Sequence, residues 1–159
     1  MNLSELTEIF RKLGADDAEI WAASQVEEGI PQLARFLFLK GAWDVVSDES
    51  GEWIDNVLAN TPEDSKDAYS GQAHAIRKML ACGVSREWIT DLVRCAEANM
   101  IFQLGYLLDD PGSVEGNEHV DWALVQVDEN GEVCATINGL HESVLEMDPT
   151  GREMRPRDD

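Results

Sequence analysis

Apolar residues recur at intervals of three and four positions through most of the first 107 residues, which is the spacing that places them on one face of a helix. The first stripe begins after Asn2, which can form a capping box with Glu5, and it ends at Gly14. Five further stripes follow, separated by glycine, proline or capping residues. The pattern therefore predicts six helices, with stripes over residues 3–13, 18–26, 33–39, 53–58, 73–80 and 89–107.

Two of these stripes indicate where the core lies. The third, residues 33–39, is apolar on nearly every side, which is typical of a helix enclosed by its neighbours. The sixth begins after a good N-cap residue, Ser85, and predicts the longest helix and the scaffold of the fold. Its stripe consists of Ile89, Leu92, Val93, Ala96, Met100, Leu104 and Leu107.

After residue 121 the helical spacing gives way to two short strand-like runs. Residues 122–127 and 133–137 flank Asn130-Gly131, and this dipeptide between such runs is a strong hairpin signal. One face of the hairpin should pack against the helices, because an isolated hairpin is only marginally stable. Residues 140–145 predict one further helical turn. We therefore expect an α+β, predominantly α-helical fold of about six helices with a C-terminal β-hairpin, as one domain over 1–150 with a polar tail over 151–159.

Charge changes the picture most, since 32 acidic residues face 12 Lys and Arg and give a formal net charge of -20. A magnitude of roughly 2 to 8 is enough to keep a small domain in solution. Such a surface repels nucleic acid and anionic membrane, whereas it attracts a basic protein and speeds its association. The composition therefore predicts a protein partner with a basic surface, although adaptation to salt or simple solvation would produce the same excess of acid.

The cysteines and the N-terminus indicate a cytoplasmic address. Cys82, Cys95 and Cys134 are odd in number and form no C-x-x-C pair, so we expect reduced, buried thiols. The first residues lack the basic and apolar regions of a signal peptide, and no apolar run is long enough to span a membrane.

Motifs that carry catalysis or bind a metal are missing from the sequence. It contains no phosphate-binding loop, dinucleotide fingerprint, nucleophile elbow or zinc-binding His pair, and the histidine that would complete a zinc motif with His141 is Leu145. The run 128–132 resembles the start of a calcium loop, but its glycine comes two positions early. We therefore expect no catalytic residue, metal or cofactor, and an enzyme remains the less favoured alternative.

The acidic residues are segregated into stretches that contain no Lys or Arg, residues 41–65 and 95–151. An ordinary solvated surface mixes both signs, so these stretches suit the capture of a basic partner, with a tryptophan beside each as an anchor. The predicted partner-binding residues are Asp44, Asp48, Glu49, Glu52, Trp53 and Asp55 in the first stretch, and Asp109, Asp110, Glu115, Glu118, Asp121 and Trp122 in the second.

These acidic stretches with interspersed tryptophans, together with the distinctive run over residues 139–156, resemble the small acidic immunity proteins that bacteria encode beside polymorphic, contact-delivered toxins. The resemblance lies in size, charge and style, so it assigns no functional residue. It implies a cytoplasmic protein that binds its cognate toxin and blocks the active site or access to substrate. Because many such toxins act on nucleic acids and bind phosphates, an acidic inhibitor would be complementary to them.

Two other classes of binding protein remain alternatives. A chaperone for a secreted effector is also small and acidic, but it should expose hydrophobic grooves and form dimers. A nucleic-acid mimic should space its acids regularly along a helix, whereas the acids in this chain gather largely in predicted loops and turns.

Overall fold

The structure is a computed structural model that describes residues 1–157. Within that range it contains six α-helices followed by a two-stranded antiparallel hairpin, as the sequence predicts. None of these helices combines the length and the hydropathy that a membrane crossing requires. The elements are α1 (Leu3–Leu13), α2 (Ala18–Glu28), α3 (Gln32–Trp43), α4 (Glu52–Asn60), α5 (Ser70–Ala81), α6 (Arg86–Asp109), β1 (Leu124–Val127) and β2 (Val133–Ile137), with short 3-10 turns at Pro111–Ser113 and Leu140–Ser143.

Local sequence signals explain where the helices begin and end. The Glu5 N–H donates to Asn2 Oδ1 (3.0 Å) and the Asn2 N–H to Glu5 Oε2 (2.9 Å), which is the predicted capping box. Gly14 ends α1 in the left-handed conformation that glycine adopts without strain. The Ser85 hydroxyl accepts a hydrogen bond from the Trp88 N–H and caps α6.

Three clusters of buried side chains hold the helices together. One joins α1, α2 and α3, where Phe10, Trp21 and Phe36 pack with ring centroids 5.4 to 6.0 Å apart. A second joins α4, α5 and α6 through Ile54, Ile76 and Ile89. The third joins α3 and α6 to β2 and to the turn that follows it, and its members are Leu39, Trp43, Val46, Ala98, Ile137, Leu140 and Val144.

Helix α3 is less enclosed than its sequence predicts. Phe36 and Leu39 are buried, but Leu37 and Phe38 are 46% and 39% exposed. Only one side of α3 faces the core, because α1 and α2 cover it at one end and β2 and residues 140–144 at the other. The prediction of a helix buried on all sides is therefore wrong.

Helix α6 also turns a different face to the core from the one its apolar stripe predicts. Of the stripe only Ile89 is buried, and Leu92 and Met100 are exposed, whereas Ala98 and Gly105 outside the stripe are buried. The reason is the 3-10 turn Leu140–Ser143, which docks on the side of α6 that carries Gly105. The other stripe residues Ala96, Leu104 and Leu107 are exposed as well, and Val93 is half-buried.

The close approach at Gly105 yields a prediction about stability. A Cβ at this position would lie 3.0 Å from the His141 backbone nitrogen and 3.2 Å from Leu140 Cβ, so Gly105→Ala should destabilise the fold by about 1–3 kcal/mol. Gly41→Ala in α3 meets nothing within 4 Å and should stabilise by about 0.5–1 kcal/mol, because alanine favours the helix. Chemical denaturation of the two variants measures these opposite signs, and a stabilised Gly105→Ala would contradict the close contact.

The segment after the hairpin is bound to the helices by buried polar contacts. The Trp43 indole N–H donates to the Val144 carbonyl (2.8 Å), and the Arg35 guanidinium donates to the Ser143 hydroxyl (2.9 Å). Arg94 and Asp148 form an ion pair at 3.3 Å whose side chains are 5% and 0% exposed. The run over residues 139–156 therefore has a structural role, because it is anchored to α3 and α6.

The chain continues along α6 after this segment. Arg152 and Arg157 contact the Asp91 carboxylate at 3.1 and 3.0 Å, so residues 151–157 of the predicted tail are attached to the domain. Asp158 and Asp159, the end of that predicted tail, lie outside the described residues.

The hairpin packs one face inward and presents the other to solvent. Leu124 pairs with Ile137, and both contact the core cluster beneath α3 and α6. On the opposite face, Val125, Val127 and Val133 are 37%, 50% and 65% exposed. The predicted hairpin and its single packed face are both present.

The predicted burial of the cysteines is wrong, since all three thiols are exposed. Cys82 is the C-cap residue of α5, Cys95 lies on the outward side of α6, and Cys134 lies beside the register shift of the hairpin. The apolar residues beside them in sequence suggested burial, but the elements that pack on α5, α6 and the hairpin cover faces that do not carry these cysteines.

Candidate functional site

Two carboxylates of the first acidic stretch are paired with arginines of the same chain. Arg152 contacts Glu49 at 2.7 Å and Arg86 contacts Asp55 at 2.7 Å, while Asp48 accepts a hydrogen bond from the Ser50 N–H at 2.9 Å. The Ser50 side chain also bonds to Asp48, and this contact is the main reason that the pKa of Asp48 lies below its ordinary value. Glu49 and Asp55 are therefore compensated by arginines, whereas Asp48 keeps its charge.

Trp53 is half-buried against the cluster that joins α4, α5 and α6. It acts in packing, so it is poorly placed as an anchor for a partner. Glu52 is exposed at the start of α4, and Asp44 lies apart from it at the end of α3.

The second predicted stretch is far more open. Asp110, Glu115, Glu118 and Asp121 are exposed, and within residues 1–157 none of them pairs with a Lys or Arg. They lie at the end of α6 and in the loop that leads to β1. Four uncompensated carboxylates on one connecting segment create a strong negative potential there. We call these four residues the acidic loop.

Trp122 follows the acidic loop directly and is 36% exposed. Its indole N–H donates to the Leu107 carbonyl at 2.8 Å, which holds the ring against the last turn of α6. A partly exposed tryptophan with a fixed orientation is a good anchor for a protein partner, because it gains contact area at little cost in conformational entropy. The structure thus brings this predicted anchor beside its predicted carboxylates.

Asp109, the remaining residue predicted in this stretch, points inward. Its side chain is 8% exposed and accepts a hydrogen bond from His141 Nδ1 at 2.7 Å. The His141 ring packs nearly perpendicular to the rings of Phe102 and Tyr106, with centroids 5.8 and 5.2 Å away. Asp109 is therefore not a surface contact, and sequence reasoning missed the pair because its members lie 32 positions apart.

An aspartate that orients a histidine supplies two of the three members of a nucleophilic triad. Among residues 1–157, however, no hydroxyl or thiol is hydrogen-bonded to His141, and the nearby Ser143 hydroxyl accepts a hydrogen bond from Arg35. The pair joins the end of α6 to the turn Leu140–Ser143, so it holds this turn against the helix. Among the described residues 1–157, no group of three His, Cys, Asp or Glu residues is placed to hold a metal ion.

A second acidic surface, which the sequence did not reveal, surrounds a cleft of about 350 Å³. The cleft lies between the turn joining α1 to α2, the end of α3 and residues 146–151. Lys40 is the one basic residue among those that line it. Its rim carries the exposed carboxylates Asp16, Asp17, Asp44 and Glu146, and Trp21, Phe36 and Trp43 contribute to its floor.

The cleft rim could not be recognised from the sequence, because its residues come from three distant segments. Of them, only Asp44 belongs to the predicted binding residues. The acidic loop could be recognised, since its four carboxylates lie within twelve consecutive positions.

Among these surfaces, the acidic loop with Trp122 is the best candidate site, because its charge is uncompensated and its anchor is oriented. Comparison with known proteins adds no assignment: no family model matches the chain, and neither the curated proteins nor the solved structures contain a match to it.

Proposed function

We propose that this protein is a cytoplasmic, immunity-type inhibitor that binds a cognate bacterial toxin domain with a basic surface. The observation that carries the proposal is the acidic loop, in which four exposed carboxylates have no Lys or Arg partner within residues 1–157 and lie beside the oriented Trp122. Such a surface is complementary to a toxin site that binds phosphates.

Charge and the anchor have different roles in this proposal. The carboxylates steer a basic partner towards the loop and raise the association rate, while contributing less to the final affinity. Trp122 supplies apolar contact area that is buried in the complex and slows dissociation. The acidic cleft rim adds to the negative potential that guides the approach.

A chaperone for a secreted effector is the second candidate, and one observation favours it. The exposed apolar residues of α6, among them Trp88, Leu92 and Met100, form the kind of surface that binds an unfolded client. A chaperone holds its client unfolded, whereas an inhibitor binds a folded enzyme domain.

Affinity capture of the tagged protein from its native cell, at low and moderate salt, separates the two candidates. We expect to recover one folded, basic toxin domain in a one-to-one ratio with the tagged protein. The activity of that toxin should fall when this protein is added back. Recovery of an unfolded effector would favour the chaperone, and recovery of no partner would contradict both.

Charge reversal then tests the site on the purified pair. Replacing Asp110, Glu115, Glu118 and Asp121 by lysine should slow association by about tenfold or more at low salt, with less effect on dissociation. Asp109 is left unchanged because it is buried against His141. Stopped-flow mixing measures both rate constants.

The control for charge reversal changes the same amount of charge elsewhere. Glu27, Glu28, Glu63 and Asp64 are exposed, and their replacement by lysine also adds two charges at each of four positions, which takes -20 to -12. The acidic-loop variant should slow association more than this control. Equal rates for the two variants would show that only net charge matters and would remove the loop as the site.

A further inference from the structure

The outward face of α6 carries a continuous apolar ridge. Trp88, Leu92, Met100 and Leu104 are 71%, 63%, 60% and 50% exposed, and Ala96 between them is exposed as well. These five residues follow one another at intervals of four, which forms one of the rows of side chains through which helices pack against each other. The row extends over about 24 Å at 1.5 Å per residue.

The chain has a net charge of -20, yet no charged side chain of α6 is exposed beside the ridge between residues 92 and 107. The exposed Arg155 of the C-terminal segment lines a small cleft with Cys95 at one side of the ridge. The exposed neighbours of the ridge on α6 between residues 92 and 107 are Cys95, Asn99, Gln103, Tyr106 and Leu107. The two charged residues in that range turn away: Arg94 is buried, and Glu97 accepts hydrogen bonds from the Ser47 N–H at 2.7 Å and from its hydroxyl at 3.0 Å.

The acids at the start of the ridge are compensated by the end of the chain. Arg157 contacts Asp91 at 3.0 Å and Glu87 at 3.4 Å, and Arg152 contacts Asp91 at 3.1 Å. The bonds from Arg157 hold the pKa of Asp91 below its ordinary value, so this carboxyl stays ionised and paired. The ridge is thus apolar along its length, and the acids at its start are paired with arginines.

We propose that the α6 ridge is the interface of a symmetric homodimer in which the two α6 helices cross antiparallel. A twofold interface must be complementary to itself, and an uncharged row of large side chains satisfies this condition. Elsewhere the net charge of -20 makes two copies repel each other. A basic partner, by contrast, gains nothing electrostatically from an uncharged ridge.

The middle of the ridge fits a helix crossing. Ala96 is its central residue, and a small side chain there lets two helix axes approach to about 8 Å while Leu92 and Met100 pack beside it. Antiparallel pairing also places the two acidic loops at opposite ends of the dimer. This separation limits the repulsion between the two loops.

Sedimentation equilibrium of the full-length chain tests the proposal. We expect twice the 17.7 kDa of one chain at protein concentrations of about 1 to 100 µM. Met100→Lys should raise the dissociation constant at least about tenfold, because it places a charge in an apolar interface. Ile20→Lys is the matched control: Ile20 is 67% exposed on α2, and the same change of charge there should leave the dimer intact.

Cysteine cross-linking assigns the interface independently of Met100→Lys. In a chain whose three native cysteines are replaced by serine, Ala96→Cys should form a disulfide-linked dimer on mild oxidation, because the crossing brings its two copies together. Ala75→Cys, also exposed but on α5, should not. This experiment remains informative if Met100→Lys fails to fold.

Each result decides the proposal. A monomeric wild-type chain throughout this concentration range would overturn it, and so would a dimer that Met100→Lys leaves unchanged or that Ala96→Cys fails to cross-link. A monomer that binds an unfolded effector through Trp88 and Met100 would assign the ridge to a client instead. Met100→Lys leaves the acidic loop unchanged, so failure of the dimer and failure of the toxin proposal are distinguishable.

Discussion

Replacing Arg94 by leucine should lower the free energy of unfolding by about 3–5 kcal/mol, because it leaves Asp148 as a buried charge without its cation. The Asp148 side chain is fully buried and accepts hydrogen bonds from the Thr150 N–H and hydroxyl, so it has no access to water. Urea unfolding measures the effect as a lower midpoint with an unchanged slope.

Arg11→Leu is the control for the loss of Arg94. Arg11 pairs with Glu19 on the surface, where the side chains are 56% and 63% exposed, so its removal should lower the urea midpoint far less than Arg94→Leu does. The double change Arg94→Leu with Asp148→Leu should recover part of the lost stability, since no charge is then left alone. Equal midpoints for Arg94→Leu and Arg11→Leu would contradict the structural role of the buried pair.

Leu140→Ala should have the other large effect on stability. Leu140 is fully buried between α3, α6 and β2, and truncation of such a side chain costs about 2–5 kcal/mol, including the cavity that it leaves. For a domain of this size, the melting temperature in scanning calorimetry should fall by about 4–20 °C.

Leu145→Ala makes the same chemical change five positions later, where the side chain is 42% exposed, and it should cost less than about 1 kcal/mol. A Leu140→Ala variant as stable as Leu145→Ala would show that the segment after the hairpin does not complete the core.

The order and type of the elements could be predicted because their signals are local. The capping box at Asn2, the Ser85 cap and the Asn130-Gly131 turn each act over a few residues, and each lies where the sequence places it. Periodicity found the α6 stripe but could not decide which face is buried. That choice depends on Gly105 and Leu140, which lie 35 positions apart in sequence and meet only in the folded chain.

The candidate site could be predicted in part for the same reason. Charge is visible residue by residue, so the acidic loop stands out in the sequence. Its compensation is not visible, because the arginine that contacts Glu49 lies 103 positions later, at Arg152. Sequence reasoning therefore kept both stretches as binding residues, and the structure leaves the second more open.

The position of Leu140 and Val144 in the core has a consequence for biosynthesis. The Trp43 indole hydrogen-bonds to the Val144 carbonyl, which is synthesised 101 residues later. At about 5–20 residues per second, the ribosome needs roughly 5–20 s to reach it. During that interval the apolar faces of α3 and α6 lack their cover. A nascent chain that is released early would keep them uncovered, which makes it a target for chaperones and proteases and leaves only nearly complete chains stable.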